Sequence, residues 1–227
     1  MKVGLVIATA DEMAALVAAL DESEWEGIMQ GYAMRVFRTA GHIIYAVKSG
    51  VGEIRAAAAT QMLISSFRVG LIANFGVCGG LTADAAISKG FVVRAVIHYD
   101  YDTSAIDGCE PAKYEQYETV CIPATAELVD MASGLQPAIC ASGDKFIADP
   151  DAKLMLFEKF GADICDMEAA GILLTANRAA IPALLIKVVS DGVTGGADEY
   201  LKTVNATAKR CVAYLLKAIS EGRQEND

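Results

Sequence analysis

The chain has 227 residues, of which 54% are apolar, and its formal net charge is −10. This length suits one large domain, and the sequence holds no uninterrupted apolar run of the roughly 18 residues that a membrane helix needs. Its lysines and arginines are scattered singly through an acidic sequence, which excludes the basic patch that nucleic-acid binding requires.

Apolar strands and helical segments alternate along the whole chain. The pattern of β-branched and apolar residues predicts strands at 3–8, 43–48, 70–75, 91–98, 137–140 and 182–189. The helical spacing of apolar and small residues predicts helices at 11–20, 52–65, 124–133, 150–159, 168–178 and 201–219. Several strands are apolar at nearly every position, which is typical of strands covered by helices on both faces. We therefore predict one α/β domain over residues 1–227, with a central twisted mixed β-sheet flanked by helices and a frayed tail at 219–227.

One long segment, from Tyr99 to Glu118, has no regular pattern. It is acidic and rich in tyrosine and in turn-forming residues. Loops of this length usually contribute to a binding site.

Two glycine-rich segments, 49–52 and 74–80, follow predicted strands. Glycines there would let a ligand approach backbone N–H groups closely. Neither segment matches a Walker loop or a complete dinucleotide-binding fingerprint, so spacing alone is equally typical of a tight turn between a strand and a helix.

Three carboxylates are candidates for chemistry. Glu168 opens a predicted helix after a short apolar strand, and Asp191 ends another strand, so both lie at the edge where open α/β sheets bind ligands. The alternative is structural, because a glutamate in a first helical turn favours the helix dipole and an aspartate after a strand often caps a turn. Glu12 ends the segment TADE, which has the form of a helix capping box, so it too has a structural interpretation.

Lys187 lies inside the apolar strand ALLIKVV. An unpaired ammonium would be costly there, so we expect Lys187 to face an acid or a ligand.

The six cysteines lie far apart without a CxxC pair, and the chain has only two histidines. We therefore expect neither zinc nor disulfides, and most of the cysteines should be small core residues. The N-terminal apolar segment is too short and too acidic for a secretion signal, which favours a cytoplasmic protein.

Six blocks of the sequence, in this order, resemble the 5'-methylthioadenosine/S-adenosylhomocysteine nucleosidases of the nucleoside phosphorylase superfamily. They are MKVGLVIATADE at 1–12, KSGVGE at 48–53, NFGVCGGL at 74–81, SGDKFI at 142–147, DMEAAGI at 166–172 and KVVSDG at 187–192. The resemblance spans nearly the whole chain. It implies an enzyme that hydrolyses the N-glycosidic bond of 5'-methylthioadenosine, S-adenosylhomocysteine or a related adenosine nucleoside, with no metal or other cofactor.

The resemblance also implies chemical roles for two carboxylates. Asp191 would donate a proton toward purine N7, and Glu12 would activate the attacking water. These roles suit cleavage through an oxocarbenium-like state, which calls for an acid at the leaving group and a carboxylate near the developing positive charge.

Further residues would bind the substrate if the resemblance holds. Glu168 would bind the ribose hydroxyls, and Met167 would pack against the ribose. Phe146 would stack on the purine, and the backbone of Ile147 would read the edge of the base. The other implied substrate-binding residues are Val51, Val77, Gly79, Lys187 and Ser190. A homodimer is also implied, in which Thr103 and Ile106 complete the partner's pocket for the 5' substituent.

Several positions depart from the family pattern. Val77 stands where these nucleosidases usually have a serine near the ribose, and Lys187 stands where they usually have arginine. Lysine keeps the charge of arginine but not its planar fork. Thr103 and Ile106 make a less aromatic 5' pocket, and Thr9 replaces a frequent methionine, so the preferred 5' group stays open.

Two other functions are compatible with the sequence. A phosphorylase would share the fold and the purine pocket but would need cationic groups on phosphate. The acidic first loop ATADE disfavours a phosphorylase, because it would repel phosphate. Candidates for phosphate-binding cations are Arg55, and Arg35 or Arg38 of a partner subunit. A nucleoside-binding protein without turnover is the second alternative, which the retention of Glu12 together with Asp191 disfavours.

Overall fold

The computed structural model describes residues 1–20, 22–39, 41–132 and 134–221. Within these ranges the strands are β1 (Lys2–Ile7), β2 (Trp25–Met29), β3 (Tyr32–Thr39), β4 (His42–Lys48), β5 (Leu71–Gly80), β6 (Gly90–His98), β7 (Ile122–Pro123), β8 (Gln136–Ser142), β9 (Ile164–Asp166) and β10 (Ala183–Asp191). The helices of the same ranges are α1 (Ala10–Ala19), α2 (Glu53–Met62), α3 (Ser104–Asp107), α4 (Ala126–Met131), α5 (Pro150–Phe160), α6 (Ala169–Arg178) and α7 (Ala197–Glu221), and a π-helical segment, Leu63–Phe67, continues α2.

All the strands belong to one mixed sheet. Its main order is β10-β6-β8-β9-β5-β1-β4-β3-β2, with β7 paired to β6. Strand β10 also pairs with β5, so β5, β10, β6, β8 and β9 form a closed ring from which the other strands extend. Strands β4, β1, β5 and β10 are parallel neighbours, and their carboxyl ends therefore meet at one edge of the sheet.

Alternating side chains of the central strands enter two separate apolar layers. In β10, Ile186 and Val188 pack in the layer that α1 and α7 cover, whereas Leu185 and Val189 pack in the layer under α2 and α6. Full burial of each such side chain contributes about 1.5–3 kcal/mol relative to exposure. Because both faces are covered, these strands are apolar at nearly every position, as the sequence pattern predicted.

The structure confirms the predicted α/β fold with a central mixed sheet and flanking helices. Each of the predicted strands and helices has a counterpart with similar bounds. Helix α7 continues to Glu221, so the predicted frayed tail does not begin at 219, and residues 222–227 lie outside the described residues.

The hairpin of β2 and β3 was not predicted from the sequence. Gln30 and Gly31 connect these strands with φ values of 49° and 86°, as in the two-residue turns that suit twisted hairpins. Strand β2 is an edge strand with no fully buried residue, so its sequence lacks the apolar pattern on which the other predictions depend.

Of the two interpretations left open for the glycine-rich segment 74–80, the tight turn is wrong. Strand β5 runs through to Gly80, and it pairs with β10 and β9 along this segment. The glycines allow close packing against the strand, because a Cβ at Gly80 would lie 2.3 Å from the Ala85 carbonyl oxygen, and one at Gly79 would lie 2.9 Å from Cys165 Sγ.

Candidate active site

Most of the predicted site residues surround one cavity of about 480 Å³, a size typical of small-molecule sites. The cavity opens at the edge where β1, β5 and β10 end. The predicted residues that line it are Glu12, Val51, Val77, Gly79, Phe146, Ile147, Met167, Glu168, Ser190 and Asp191. They come from distant parts of the chain, and the parallel strand ends bring them together.

Glu12 both caps helix α1 and lines the cavity. Its Oε2 accepts a hydrogen bond from Thr9 N (3.0 Å), and Thr9 Oγ1 accepts one from Glu12 N (3.2 Å), so the predicted capping box is present. Its Oε1 accepts from Val77 N at 3.1 Å. The two backbone donors hold the buried carboxylate against β5, so the structural and functional interpretations of Glu12 are compatible.

Glu168 also lines the cavity, at the N-terminal cap of α6. Its Oε1 accepts from Gly52 N at 3.1 Å, and Gly52 has a φ of 110°, which favours glycine. Burial, followed by the negative charge of Asp166, raises the pKa of Glu168 to about 8. Near neutral pH its carboxyl group is therefore largely protonated and can donate as well as accept a hydrogen bond.

Lys187 does not line the cavity but lies beneath it, where its Nζ is 2.6 Å from Asp166 Oδ2. Burial opposes the ammonium, but the charges of Asp166 and Glu168 outweigh that effect and raise the pKa of Lys187 above its ordinary value. The prediction that Lys187 faces an acid is therefore correct. The Lys187 ammonium also lies close to Glu12, because both groups approach Gly76. A Cβ added at Gly76 would be 2.8 Å from Glu12 Oε1 and 3.5 Å from Lys187 Nζ.

Asp166 continues into a buried network. Ser142 Oγ lies 2.5 Å from Asp166 Oδ1 and also contacts Glu53 Oε1, while Gly171 N donates to Glu53 Oε2. A serine hydroxyl has one hydrogen and cannot donate to two carboxylates, so one carboxyl group must itself donate to Ser142. Burial, with the charge of Asp166 as the second cause, raises the pKa of Glu53 to about 7, which identifies Glu53 as the protonated member.

Asp191 lies at the end of β10 with both oxygens bonded. Ser190 Oγ is 2.9 Å from Oδ1, and the fully buried Lys153 Nζ is 2.6 Å from Oδ2. Lys153 was not predicted from the sequence as a site residue. The available signal was its place on α5, where it shares one helical stripe with Leu156 and Phe160, a stripe that should be apolar.

An aromatic pair forms the outer wall of the cavity. The rings of Phe146 and Tyr200 meet edge to face with centroids 5.6 Å apart. Phe146 is 42% exposed, so its ring is free to contact a planar ligand, whereas Ile147 is buried beside it. Tyr200 was not predicted from the sequence.

Besides Lys187, two predicted residues lie outside the cavity. Thr103 precedes the short helix α3, and Ile106 within it is 89% exposed. Neither lines the cavity of its own chain, and their role in a partner subunit stays a prediction.

In the described part of the chain, no group of three or more histidine, cysteine, aspartate or glutamate side chains is arranged to hold a metal ion. None of the described helices has the length and apolar content needed to cross a membrane. The described cysteines are free thiols, and four of the six are buried.

The fold and the sequence both match known proteins. A family model described as the phosphorylase superfamily matches residues 2–221. The 5'-methylthioadenosine/S-adenosylhomocysteine nucleosidase of Shewanella piezotolerans is 30% identical to this chain, over 96% of the chain and 100% of the relative. The enzyme of the same name from Shewanella halifaxensis is 29% identical over the same shares.

Solved structures with the same fold include two enzymes of Helicobacter pylori. A futalosine hydrolase mutant has a TM-score of 0.92 at 20% identity and covers 97% of this chain and 99% of its own. A 5'-methylthioadenosine/S-adenosylhomocysteine nucleosidase with butyl-thio-DADMe-Immucillin-A has a TM-score of 0.92 at 20% identity, over 97% and 98% of the two chains. At this identity the structures show the fold alone, whereas the sequence matches show the family. The chain belongs to the 5'-methylthioadenosine/S-adenosylhomocysteine nucleosidases, a family of N-glycosyl hydrolases within the phosphorylase superfamily.

Proposed function

We propose that this protein hydrolyses the N-glycosidic bond of 5'-methylthioadenosine, S-adenosylhomocysteine or a related adenosine nucleoside to free base and sugar. The observation that carries the proposal is the arrangement of Asp191 and Glu12 on one apolar-walled cavity, each held by fixed hydrogen bonds. Such a site can supply an acid to the leaving group and a base to water without a metal.

The purine would lie against Phe146, with its edge at Ile147 and with N7 toward Asp191. The ribose would lie between Met167 and Glu168. In this orientation Asp191 protonates the departing base while the sugar develops positive charge. Carboxylates around the cavity stabilise that charge, because water is largely excluded there and electrostatic effects are stronger.

Glu12 would take a proton from the attacking water. Its two backbone hydrogen bonds fix the carboxylate, and the nearby ammonium of Lys187 can help to orient the water. Val77 offers only its backbone here, so the water loses the hydroxyl that a serine would supply.

The charges favour hydrolysis over phosphorolysis. Among the described residues that line the cavity, Lys145 is the only basic one, against Glu12, Asp166, Glu168 and Asp191. Asp166 and Asp191 are paired with Lys187 and Lys153, and Glu168 is largely protonated, so Glu12 is the acid that would repel a phosphate ion there. The alternative phosphate-binding groups are engaged elsewhere, because Arg35 pairs with Glu26 and Arg38 with Glu24, and Arg55 does not line the cavity.

The deciding experiment measures release of free base from 5'-methylthioadenosine, S-adenosylhomocysteine, adenosine, inosine and futalosine, each with and without phosphate. Futalosine is included because futalosine hydrolase shares the fold. We expect phosphate-independent release of adenine and a free sugar. Strict phosphate dependence, with a sugar 1-phosphate as product, would instead identify a phosphorylase. Binding without release of any base would favour the binding protein.

We further propose that the protein acts as a cytoplasmic homodimer. Ile106 on α3 and Ile54 on α2 are both more than three-quarters exposed, and exposed apolar side chains of this kind are suited to a subunit contact. In the dimer, Thr103 and Ile106 would reach the partner's 5' pocket. Light scattering at micromolar concentration tests this proposal, and a monomer would contradict it.

A further inference from the structure

Lys153 lies behind Asp191 as seen from the cavity. It is fully buried in α5 and does not line the cavity, whereas Asp191 does. Its Nζ contacts three acceptors, Asp191 Oδ2 at 2.6 Å, Gly192 O at 2.6 Å and Gly195 O at 3.1 Å. These contacts match the three hydrogens of an ammonium group.

The same contacts permit a second position for one proton. With the proton on Lys153, the ammonium donates to the carboxylate and to two carbonyl groups. With the proton on Asp191 Oδ2, the carboxyl group donates to the lone pair of a neutral amine, which still donates to both carbonyls. Neither state leaves a buried donor unpaired, so the proton can cross the 2.6 Å contact without rearrangement of its surroundings.

Stability alone gives little reason for a lysine at this position. A buried ion pair costs so much desolvation that a well-packed apolar pair of similar volume is often as stable or more so. The ammonium is also not shared with other acids of the site, because the acid in contact with its Nζ is Asp191. The Lys153 ammonium therefore interacts with Asp191, the carboxylate that would face the purine.

We propose that Lys153 supplies the proton that Asp191 passes to the departing purine, an inference that rests on the function proposed above. The proton moves from Lys153 Nζ to Asp191 Oδ2, and the O–H bond turns toward the cavity and donates to purine N7. The electron pair of the broken C–N bond stays on the base. Water adds to the sugar cation and gives its proton to Glu12. After the products leave, Glu12 loses this proton to solvent and Lys153 regains one.

Other ionisable groups face the pair from two elements. Cys165 on β9 is near both members, and burial raises the pKa of its thiol to about 12. On α7, Glu199 accepts from Gly192 N at 2.8 Å, and burial raises the pKa of Tyr200. Cys165 and Tyr200 therefore stay neutral through the neutral range, and Glu199 is bound to the backbone of the loop that Lys153 also holds.

Two substitutions of Lys153 separate proton supply from a structural role. Lys153→Met keeps the volume but removes the proton, and Lys153→Arg keeps the positive charge but releases no proton at accessible pH. For both we expect kcat with 5'-methylthioadenosine to fall by about 100-fold or more near neutral pH, with KM changed less than about threefold. In Lys153→Met no lysine stands behind Asp191 to supply a proton, so the alkaline limb of the kcat profile should move from its wild-type position.

A double-mutant cycle completes the test, with Lys159→Met on the exposed face of the same helix as the matched control. Because Lys153 acts through Asp191, Lys153→Met should cost less than about threefold in kcat when it is added to Asp191→Asn. The double variant also replaces the ion pair by two neutral groups, so it provides a folded reference if the single Lys153→Met variant does not fold.

Three results would overturn the inference: a kcat within threefold of wild type for Lys153→Arg, an unmoved alkaline limb in Lys153→Met, or additive losses in the cycle. The activity of wild type in the same assay shows whether the proton supply by Lys153 or the proposed function itself has failed. If wild type releases no base from any nucleoside, the proposed function fails, whereas active wild type with active Lys153→Arg refutes the proton supply alone.

Discussion

Gly76 lies so close to Glu12 that a Cβ atom at position 76 would be 2.8 Å from Glu12 Oε1. The carboxylate cannot move aside freely, because Thr9 N and Val77 N both donate to it. The absence of a side chain at residue 76 is therefore a condition for the position of the proposed base.

Gly76→Ala should consequently displace Glu12. We expect kcat/KM to fall at least about tenfold and the free energy of unfolding to fall by about 1–3 kcal/mol, the usual cost of overpacking. Steady-state kinetics and thermal unfolding measure the two effects. Gly70→Ala is the matched control, because its added Cβ would meet Met1 at an ordinary 3.7 Å. Full activity of Gly76→Ala would show that the position of Glu12 is not critical.

Glu12→Gln should lower kcat by about 100-fold or more, because an amide cannot take a proton from water. Glutamine can keep one of the two backbone contacts, but its NH₂ group would then face the other N–H donor, and an unpaired buried donor costs about 1–3 kcal/mol. We therefore expect a folded but less stable variant. Asp11→Asn, exposed in the same helical turn, is the control. Undiminished kcat in Glu12→Gln would exclude Glu12 as the base.

Asp191→Asn should lower kcat by about 100-fold or more, to a small but measurable residual rate. Binding of the purine should stay measurable, since the amide fills the same space and still accepts a hydrogen bond from Lys153. Calorimetric titration with adenine and single-turnover kinetics with 5'-methylthioadenosine check the two parts. Asp198→Asn, exposed in the first turn of α7, serves as the comparison. If Asp191→Asn turned over normally, another group would have to protonate the base.

The buried carboxyl group of Glu53 should make stability depend on pH. Its folded pKa of about 7 lies above the ordinary glutamate pKa of 4.5, so the folded state binds more protons than the unfolded state between these values. The free energy of unfolding should therefore decrease as pH rises from about 4.5 to about 7. Asp166 affects stability in the opposite direction at lower pH. Burial opposes its charged form, but Lys187 outweighs burial and lowers the pKa of Asp166 below its ordinary value. The stability that Asp166 contributes is therefore lost as pH falls below its pKa in the unfolded state.

Glu53→Gln tests this dependence. The amide imitates the protonated acid, because its oxygen accepts from Gly171 N and its NH₂ group donates to Ser142. Denaturant unfolding at several pH values should show a flatter profile between pH 4.5 and 7 than in wild type. The exposed Glu127→Gln should leave the slope as it is. If the free energy of unfolding of Glu53→Gln depended on pH as steeply as that of wild type, the proton shared with Ser142 would belong to a group other than Glu53.

The sequence predicted the fold well because most of its strands are covered on both faces and are correspondingly apolar. It also placed Glu168 and Asp191 at one edge, since parallel strands end together. The roles of Glu12 and Phe146 came only from the resemblance, because a capping box and an aromatic residue have common structural explanations. Lys153 was missed for a physical reason: its contact with Asp191 depends on how α5 packs against the end of β10, which local spacing does not encode.

The order in which the site residues occur along the chain affects when the protein can become active. Glu12 follows the first strand, but Asp191 ends the last one, and β10 pairs with β5 more than 100 residues earlier. Such long-range pairing is slow and cannot form in a partial chain. During synthesis, β10 must therefore leave the ribosome before the site can form, so an amino-terminal fragment that ends before β10 would lack both Asp191 and the activity.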